Sequence, residues 1–356
     1  SCPLPDDVLA KILSYLPAKT FFRLLSVCKT FRKLSSDSHF LLSQSYHNNA
    51  ISGFFVQRYG TNMSLLLVDP YADVPKSNIE FMFKRESIIL GSAGGLVVIL
   101  EDDDLCVYNP ARGTRCRLPS PTGKCFFGGI AVSFLNDGDG VTKDYKLVYL
   151  SATREWSWLS HCRVYDSVAR AWTMDKELDF GPEALDFVHP VVCDETVFWV
   201  TKLGLYVVAF DMKTESTQII ELPEEASINY TDKIGIGNWE GKSLCLIHYC
   251  RLSCMFSLWK LRKTSDGAPP RWAKLHEISI ASIGLRNVGQ VSSIFLSEAA
   301  TATLLVFTIW ADVYGYSIKD GKLKKLASLG CHYLPLISYA NTLRPCGEEE
   351  EPLETT

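Results

Sequence analysis

The chain has 356 residues, of which 47% are hydrophobic and 21% charged, with a formal net charge of −4. That balance belongs to a globular chain rather than a disordered one, with room for one large domain or two ordinary ones. So small a net charge gives no global electrostatic case for binding nucleic acid or an anionic membrane. No apolar run reaches the roughly 18–20 residues that cross a bilayer. The longest, residues 87–100, is broken by Gly91, Gly94 and Gly95, and no stretch reads as a secretory leader. The twelve cysteines are scattered, and Cys106, Cys162, Cys193 and Cys245 sit inside apolar strand-like runs. Reduced cysteines behave this way, as small buried hydrophobes, which favours a reducing compartment, nucleus or cytoplasm.

The first segment, residues 1–45, reads as helical. Pro5 suits a first turn, and Asp6 and Asp7 put negative charge at the positive end of a helix. Val8, Leu9, Ile12, Leu13 and Leu16 then recur at helical spacing, and Pro17 ends the run. Phe21, Phe22, Leu24 and Leu25 predict a second short helix. Val27, Cys28, Phe31 and Leu34 predict a third. Asp37 is placed to cap a last one over 38–46. So few residues bury little apolar surface alone, and the apolar positions cover more than one face of each helix; a partner for the spare faces is expected.

From residue 46 to 340 the pattern changes to short runs rich in Val, Leu, Ile, Tyr and Phe, separated by Gly, Asn, Asp and Pro turns, which predicts an all-β region. It repeats loosely. Residues 105–119, 162–178, 207–223, 256–278 and 313–329 each hold an apolar strand ending in an aromatic, a polar turn, and a second strand closing on Leu or Ile. The aromatics Tyr108, Tyr165, Phe210, Trp259 and Tyr316 fall in register, with spacings of 57, 45, 49 and 57 residues. A period near 40–50 residues with several strands per unit marks a propeller blade, and the span gives about six blades. A closed ring also hides strand edges that an open sheet would expose. A large β-sandwich is the structural alternative. Residues 341–356, with the run Glu348–Glu351, read as an acidic, disordered tail.

At residues 4–41 the sequence LPDDVLAKILSYLPAKTFFRLLSVCKTFRKLSSDSHFL resembles the F-box. The match rests on Leu4-Pro5, Leu9, Ile12, Leu13, Leu16-Pro17, Val27-Cys28-Lys29 and Ser36-Asp37. Phe31 stands where the family usually has Trp. The β region resembles the plant F-box-associated domain, related to kelch-type repeats, through Val107-Tyr108-Asn109-Pro110, Val164-Tyr165-Asp166 with Trp172, Phe198-Trp199, Ala209-Phe210-Asp211, and Trp259 with Trp272. The resemblance implies the substrate receptor of an SCF-type ubiquitin ligase, a non-catalytic subunit whose effect is proximity. Its implied partners are a Skp-family adaptor, through it cullin and RING subunits, and an unidentified protein substrate. A non-degradative scaffold and a small-molecule-sensing propeller are the alternative functions. The residues expected to meet the adaptor are Leu4, Pro5, Leu9, Ile12, Leu13, Leu16, Pro17, Phe22, Val27, Cys28 and Phe31.

Other motifs carry less. Residues 136–140, Asn-Asp-Gly-Asp-Gly, lack the glutamate that closes a calcium loop. Cys245, His248, Cys250 and Cys254 lack the close pairing of a zinc site, and strand alternation points 245 and 248 to opposite faces. No phosphate-binding loop, nucleophile elbow or metalloprotease motif occurs. No catalytic residue, metal or cofactor is expected. Arg154, Trp156 and Trp158 form the candidate substrate contact, because Trp and Arg dominate binding hot spots.

Overall fold

The computed structural model describes residues 4–58, 61–69, 74–82, 87–121, 128–136, 141–152, 159–226, 229, 231–262, 270–285, 290–298, 303–329 and 335–353. Helices α1 (Asp6–Leu13), α2 (Ala18–Leu24), α3 (Lys29–Leu34) and α4 (Ser38–His47) come first. Pro5 and Pro17 start α1 and α2 with φ fixed near −55°. The Asp37 carboxylate accepts a hydrogen bond from Phe40 N at 2.8 Å and caps α4, as its position predicts. Leu9, Leu13, Ala18, Phe21, Phe40 and Leu41 form the core of this bundle, and Ala111 and Leu343 from the β region complete it.

The strands follow in chain order. They are β1 (Ile51–Arg58) and β2 (Thr61–Leu67); then, after helix α5 (Lys76–Met82), β3 (Ile88–Ala93), β4 (Leu96–Glu101), β5 (Asp104–Asn109) and β6 (Thr114–Arg117). Next come β7 (Gly128–Asn136), β8 (Val141–Ala152), β9 (Leu159–Asp166) and β10 (Ala171–Asp179), then β11 (Val191–Cys193), β12 (Thr196–Val200), β13 (Tyr206–Asp211) and β14 (Ser216–Glu221). The last are β15 (Lys233–Trp239), β16 (Ser243–Cys250), β17 (Met255–Arg262), β18 (Arg271–Ser279), β19 (Val291–Glu298), β20 (Thr303–Ile309), β21 (Asp312–Ser317), β22 (Lys322–Ser328), β23 (Leu336–Ala340) and β24 (Glu351–Pro352). They pair antiparallel into six sheets. β23 packs beside β3, β3 beside β7, β7 beside β11, β11 beside β15, and β15 beside β19, so these strands ring an axis. The fold is a six-bladed propeller, not a sandwich.

The five in-register aromatics all lie on the third strand of their blades: Tyr108 on β5, Tyr165 on β9, Phe210 on β13, Trp259 on β17 and Tyr316 on β21. The turn after that strand repeats too. Asn109, Asp166 and Asp211 each accept from backbone N–H groups two or three residues on, as side chains that mimic a backbone turn do. Four residues past the turn's first residue the backbone enters the left-handed region, at Gly113 (φ 65°), Arg170 (φ 54°) and Glu215 (φ 53°). Trp172 and Trp272, on the outer strands of blades 3 and 5, donate to Pro119 O and Glu221 O of the preceding blades, each at 2.7 Å.

Blade 1 has only three strands, ordered β23-β1-β2. Its inner strand comes from residues 336–340, so the two ends of the β region meet inside one sheet. Phe54 of blade 1 packs edge-on against Phe295 of blade 6, with centroids 6.1 Å apart. The chain then adds β24 to the outer edge of blade 2, beside β6. Residues 341–353 are therefore ordered, which corrects the expectation of a disordered tail. Thr342, Leu343 and Cys346 are buried. Asn109 Nδ2 donates to Thr342 O (3.0 Å) and Arg344 O (2.7 Å), and the Tyr145 hydroxyl donates to Cys346 O (2.6 Å). The acidic run meets cations from blades 2 and 3: Arg112 binds Glu350, Lys143 binds Glu348 at 2.7 Å, and Arg170 binds Glu349 at 2.7 Å.

Candidate functional sites on the helical bundle and the propeller

Helix α1 presents two apolar stripes. Leu9 and Leu13 turn inward against α4 and are buried. They fill the bundle's own core, so the expectation that they contact an adaptor directly is corrected. The packing of α1 on α4 uses them first. Val8 and Ile12, one residue back along the same i, i+4 spacing, point outward, as Leu4 does. Ile12 is 51% exposed, and Val27, in the turn before α3, is 64% exposed. Pro5 and Cys28 are also exposed, while Leu16, Pro17, Phe22 and Phe31 are half-buried. Val8 was not among the expected contact residues, and its exposure is visible only once α4 is in place. Tyr15, likewise exposed, stacks on His47 with centroids 3.8 Å apart, and the Lys11 ammonium sits 5.8 Å from its ring. Partial burial, then the Lys11 charge, lowers the His47 pKa.

The bundle is seated on one end of the propeller. Antiparallel blades put the turns between first and second strands, and between third and fourth, at one end. The turns between second and third strands, and the connections between blades, are at the other. Leu343, just past β23, and Ala111, in the third turn of blade 2, belong to the first end. The Gln44 side chain accepts from Leu343 N (2.8 Å) and donates to Leu16 O (3.0 Å). Tyr46 and Asn49 stand at the channel mouth with Gly94 and Gly241.

Inside the ring is a cavity of about 630 Å³. Its far end is crossed by residues 186–190. His189, immediately before blade 4, reaches Leu336 O of blade 1, which lies opposite in the ring, at 2.8 Å, and stacks on Phe295 at 4.6 Å. Asp186 lies 3.6 Å from His189. Burial pushes the Asp186 carboxyl up, but the His189 contact and the Val188 N–H outweigh it and hold it below the usual carboxylate range. The inner strands approach too closely for side chains at some positions. A Cβ on Gly91 would lie 2.0 Å from Ile130 O.

Arg154, Trp156 and Trp158 lie outside the described residues, as do residues 137–140 of the calcium-like run. Cys245 and His248 face opposite sides of β16. Cys245 joins the core between blades 5 and 6, and His248 stacks on Trp259 and lies 3.3 Å from Asp232. Burial pushes the Cys106 thiol up to about 11 and those of Cys162 and Cys245 to about 12, which suits packing rather than reactivity. Among the described residues no group of three or more His, Cys, Asp or Glu is arranged to hold a metal ion.

A helical bundle with an outward apolar stripe, fixed to one end of a six-bladed propeller, defines a two-part binding protein. The F-box domain profile matches residues 2–43, and the F-box associated beta propeller domain profile matches residues 59–343. The chain belongs to the F-box proteins that carry an F-box associated β-propeller. It is 25% identical to F-box protein At5g49610 of Arabidopsis thaliana, over 96% of this chain and 97% of that protein. It is 23% identical to F-box only protein 6 of the same plant, over 93% of this chain and 73% of the relative. With F-box only protein 13 it shares 27% identity over 64% of this chain and 52% of that one. An F-box joined to such a propeller is the general architecture of a substrate-recognition subunit in SCF-type assemblies, typically non-catalytic, with the F-box implying a Skp-family partner.

Proposed function

We propose that this chain is the receptor subunit of an SCF-type ubiquitin ligase, binding a Skp-family adaptor through Leu4, Val8, Ile12 and Val27 and holding a target protein on its propeller. Pro5, Leu16, Pro17, Phe22, Cys28 and Phe31 form the margin of that contact. Leu9 and Leu13 support it from beneath. The observation that carries the reading is the outward stripe on α1. Among the described residues the bundle's core is filled by other side chains, which leaves the stripe outside it and facing solvent. Through the adaptor, cullin and RING subunits bring an activated thioester near the target's lysines, and the receptor contributes effective concentration rather than chemistry. The setting is the nucleus or cytoplasm. Co-expression with a Skp-family adaptor tests the reading. A stable complex from wild-type chain is expected; a wild-type chain that purifies folded and alone overturns it.

A further inference from the structure

The propeller end away from the F-box is free of the helical bundle, and its turns carry apolar side chains where turns are usually polar. In blade 4 the turn between second and third strands places Leu203 and Leu205 in solvent. In blade 5 the same turn places Leu252 at 83% exposure, and in blade 6 it places Trp310 at 56%. These are three consecutive blades, so the four side chains share one sector of the ring.

Hydrogen bonds hold the first two of these turns in place. Thr201 Oγ1 accepts from Leu205 N at 2.7 Å, Gly204 N donates to Thr201 O at 2.8 Å, and Lys202 N donates to Ala184 O at 2.7 Å. The Leu252 turn hangs from the buried Asp232, which accepts from Arg251 N at 3.0 Å. Fixed display of apolar groups lowers the ordering cost of binding. Two of the three exposed leucines have an exposed cation beside them, Lys202 next to Leu203 and Arg251 next to Leu252; Leu205 lies between Gly204 and Tyr206. Carboxylates near these turns are already engaged: Glu225 with Lys274 at 3.0 Å, Asp232 with Arg251 N at 3.0 Å, Asp312 with Lys325 at 2.8 Å, and Asp186, which also feels the Lys202 charge, with His189 at 3.6 Å. Glu183 and Glu224 lie in the connections between blades, not in these turns.

We propose that this sector captures a protein segment pairing bulky apolar side chains with carboxylates, the apolar groups seated among Leu203, Leu205, Leu252 and Trp310 and the carboxylates on Lys202 and Arg251. The inference rests on the receptor reading for what the propeller does, and adds where and what it grips.

The test is selection of a random displayed peptide library on the full chain co-purified with the adaptor. Peptides combining Leu, Ile or Phe with Asp or Glu are expected. Their Kd should rise at least about tenfold on a Leu252→Ser/Trp310→Ala chain. A Lys202→Glu/Arg251→Glu chain should instead select apolar peptides flanked by Lys or Arg. These side chains are exposed, so melting temperature and adaptor binding should not move in either variant. Failure to select any peptide, selection without acidic residues, or equal binding to the variants overturns the proposal. Loss of adaptor binding by the wild-type chain overturns the receptor reading instead, and the peptide result then stands or falls separately.

Discussion

Replacing Ile12 and Val27 together by alanine should weaken adaptor binding without unfolding the chain. Full burial of such a side chain is worth about 1.5–3 kcal/mol. Both are already roughly half covered, at 51% and 64% exposure, so an adaptor that covers the rest gains about 1 kcal/mol from each. Loss of about 2 kcal/mol corresponds to a Kd about 30-fold higher. Isothermal titration of the full chain with the adaptor measures this, with the melting temperature as control. Leu13→Ala is the contrast. Leu13 is buried against α4, so its truncation should cost stability, about 2–5 kcal/mol, and affect binding only through unfolding. If the Ile12/Val27 double variant binds within about threefold of wild type, or loses binding only with its melting transition, the outward stripe is not the contact.

Gly91→Ala drives a Cβ onto Ile130 O between the inner strands of blades 2 and 3 and should destabilise the chain by about 1–3 kcal/mol or more in chemical denaturation; an unchanged midpoint would mean the strands separate freely. Glu350→Gln removes the carboxylate that binds Arg112 and accepts from Cys346 N at 3.1 Å, and should cost about 1–3 kcal/mol while raising amide exchange across residues 346–353; unaltered exchange would leave the acidic run without a structural role. Burial raises the Asp232 carboxyl, but the Arg251 and Asn229 N–H groups and His248 outweigh it and hold it low. A depressed carboxylate adds stability above its unfolded pKa, near 3.9, and loses it as pH falls through the lower folded value. Asp232→Asn should therefore weaken the fold at neutral pH and flatten its acid denaturation curve, and an acid limb identical to wild type would contradict that balance.

The helical bundle was legible because its two Leu-Pro steps and 3.6-residue spacing are local. What the sequence hid was the side of α1 that faces inward. Leu9/Leu13 and Val8/Ile12 have the same spacing and similar side chains, and only the position of α4 separates them. The propeller was legible through its third-strand aromatics, since each blade repeats one hairpin. Blade 1 escaped because its inner strand is supplied from nearly 300 positions away, between Phe55 and Ile337 for example. Short α5 was also missed, at seven residues. The acidic run read as a disordered tail because its cations, Arg112, Lys143 and Arg170, belong to segments distant in sequence. The candidate substrate turns were missed because an isolated leucine in a short turn has no periodicity to mark it.

Leu343 completes the core of a bundle whose first helix starts at Asp6, and its N–H donates to Gln44. A ribosome makes the bundle first and this residue some 300 codons later. A nascent chain that stops before residue 336 lacks the inner strand of blade 1 and the group on which Gln44 closes. Its helices would be unanchored, with no finished ring to hold them. Completion of the helical bundle is thereby coupled to completion of the propeller, so an aborted translation product lacks both a closed ring and a finished bundle core.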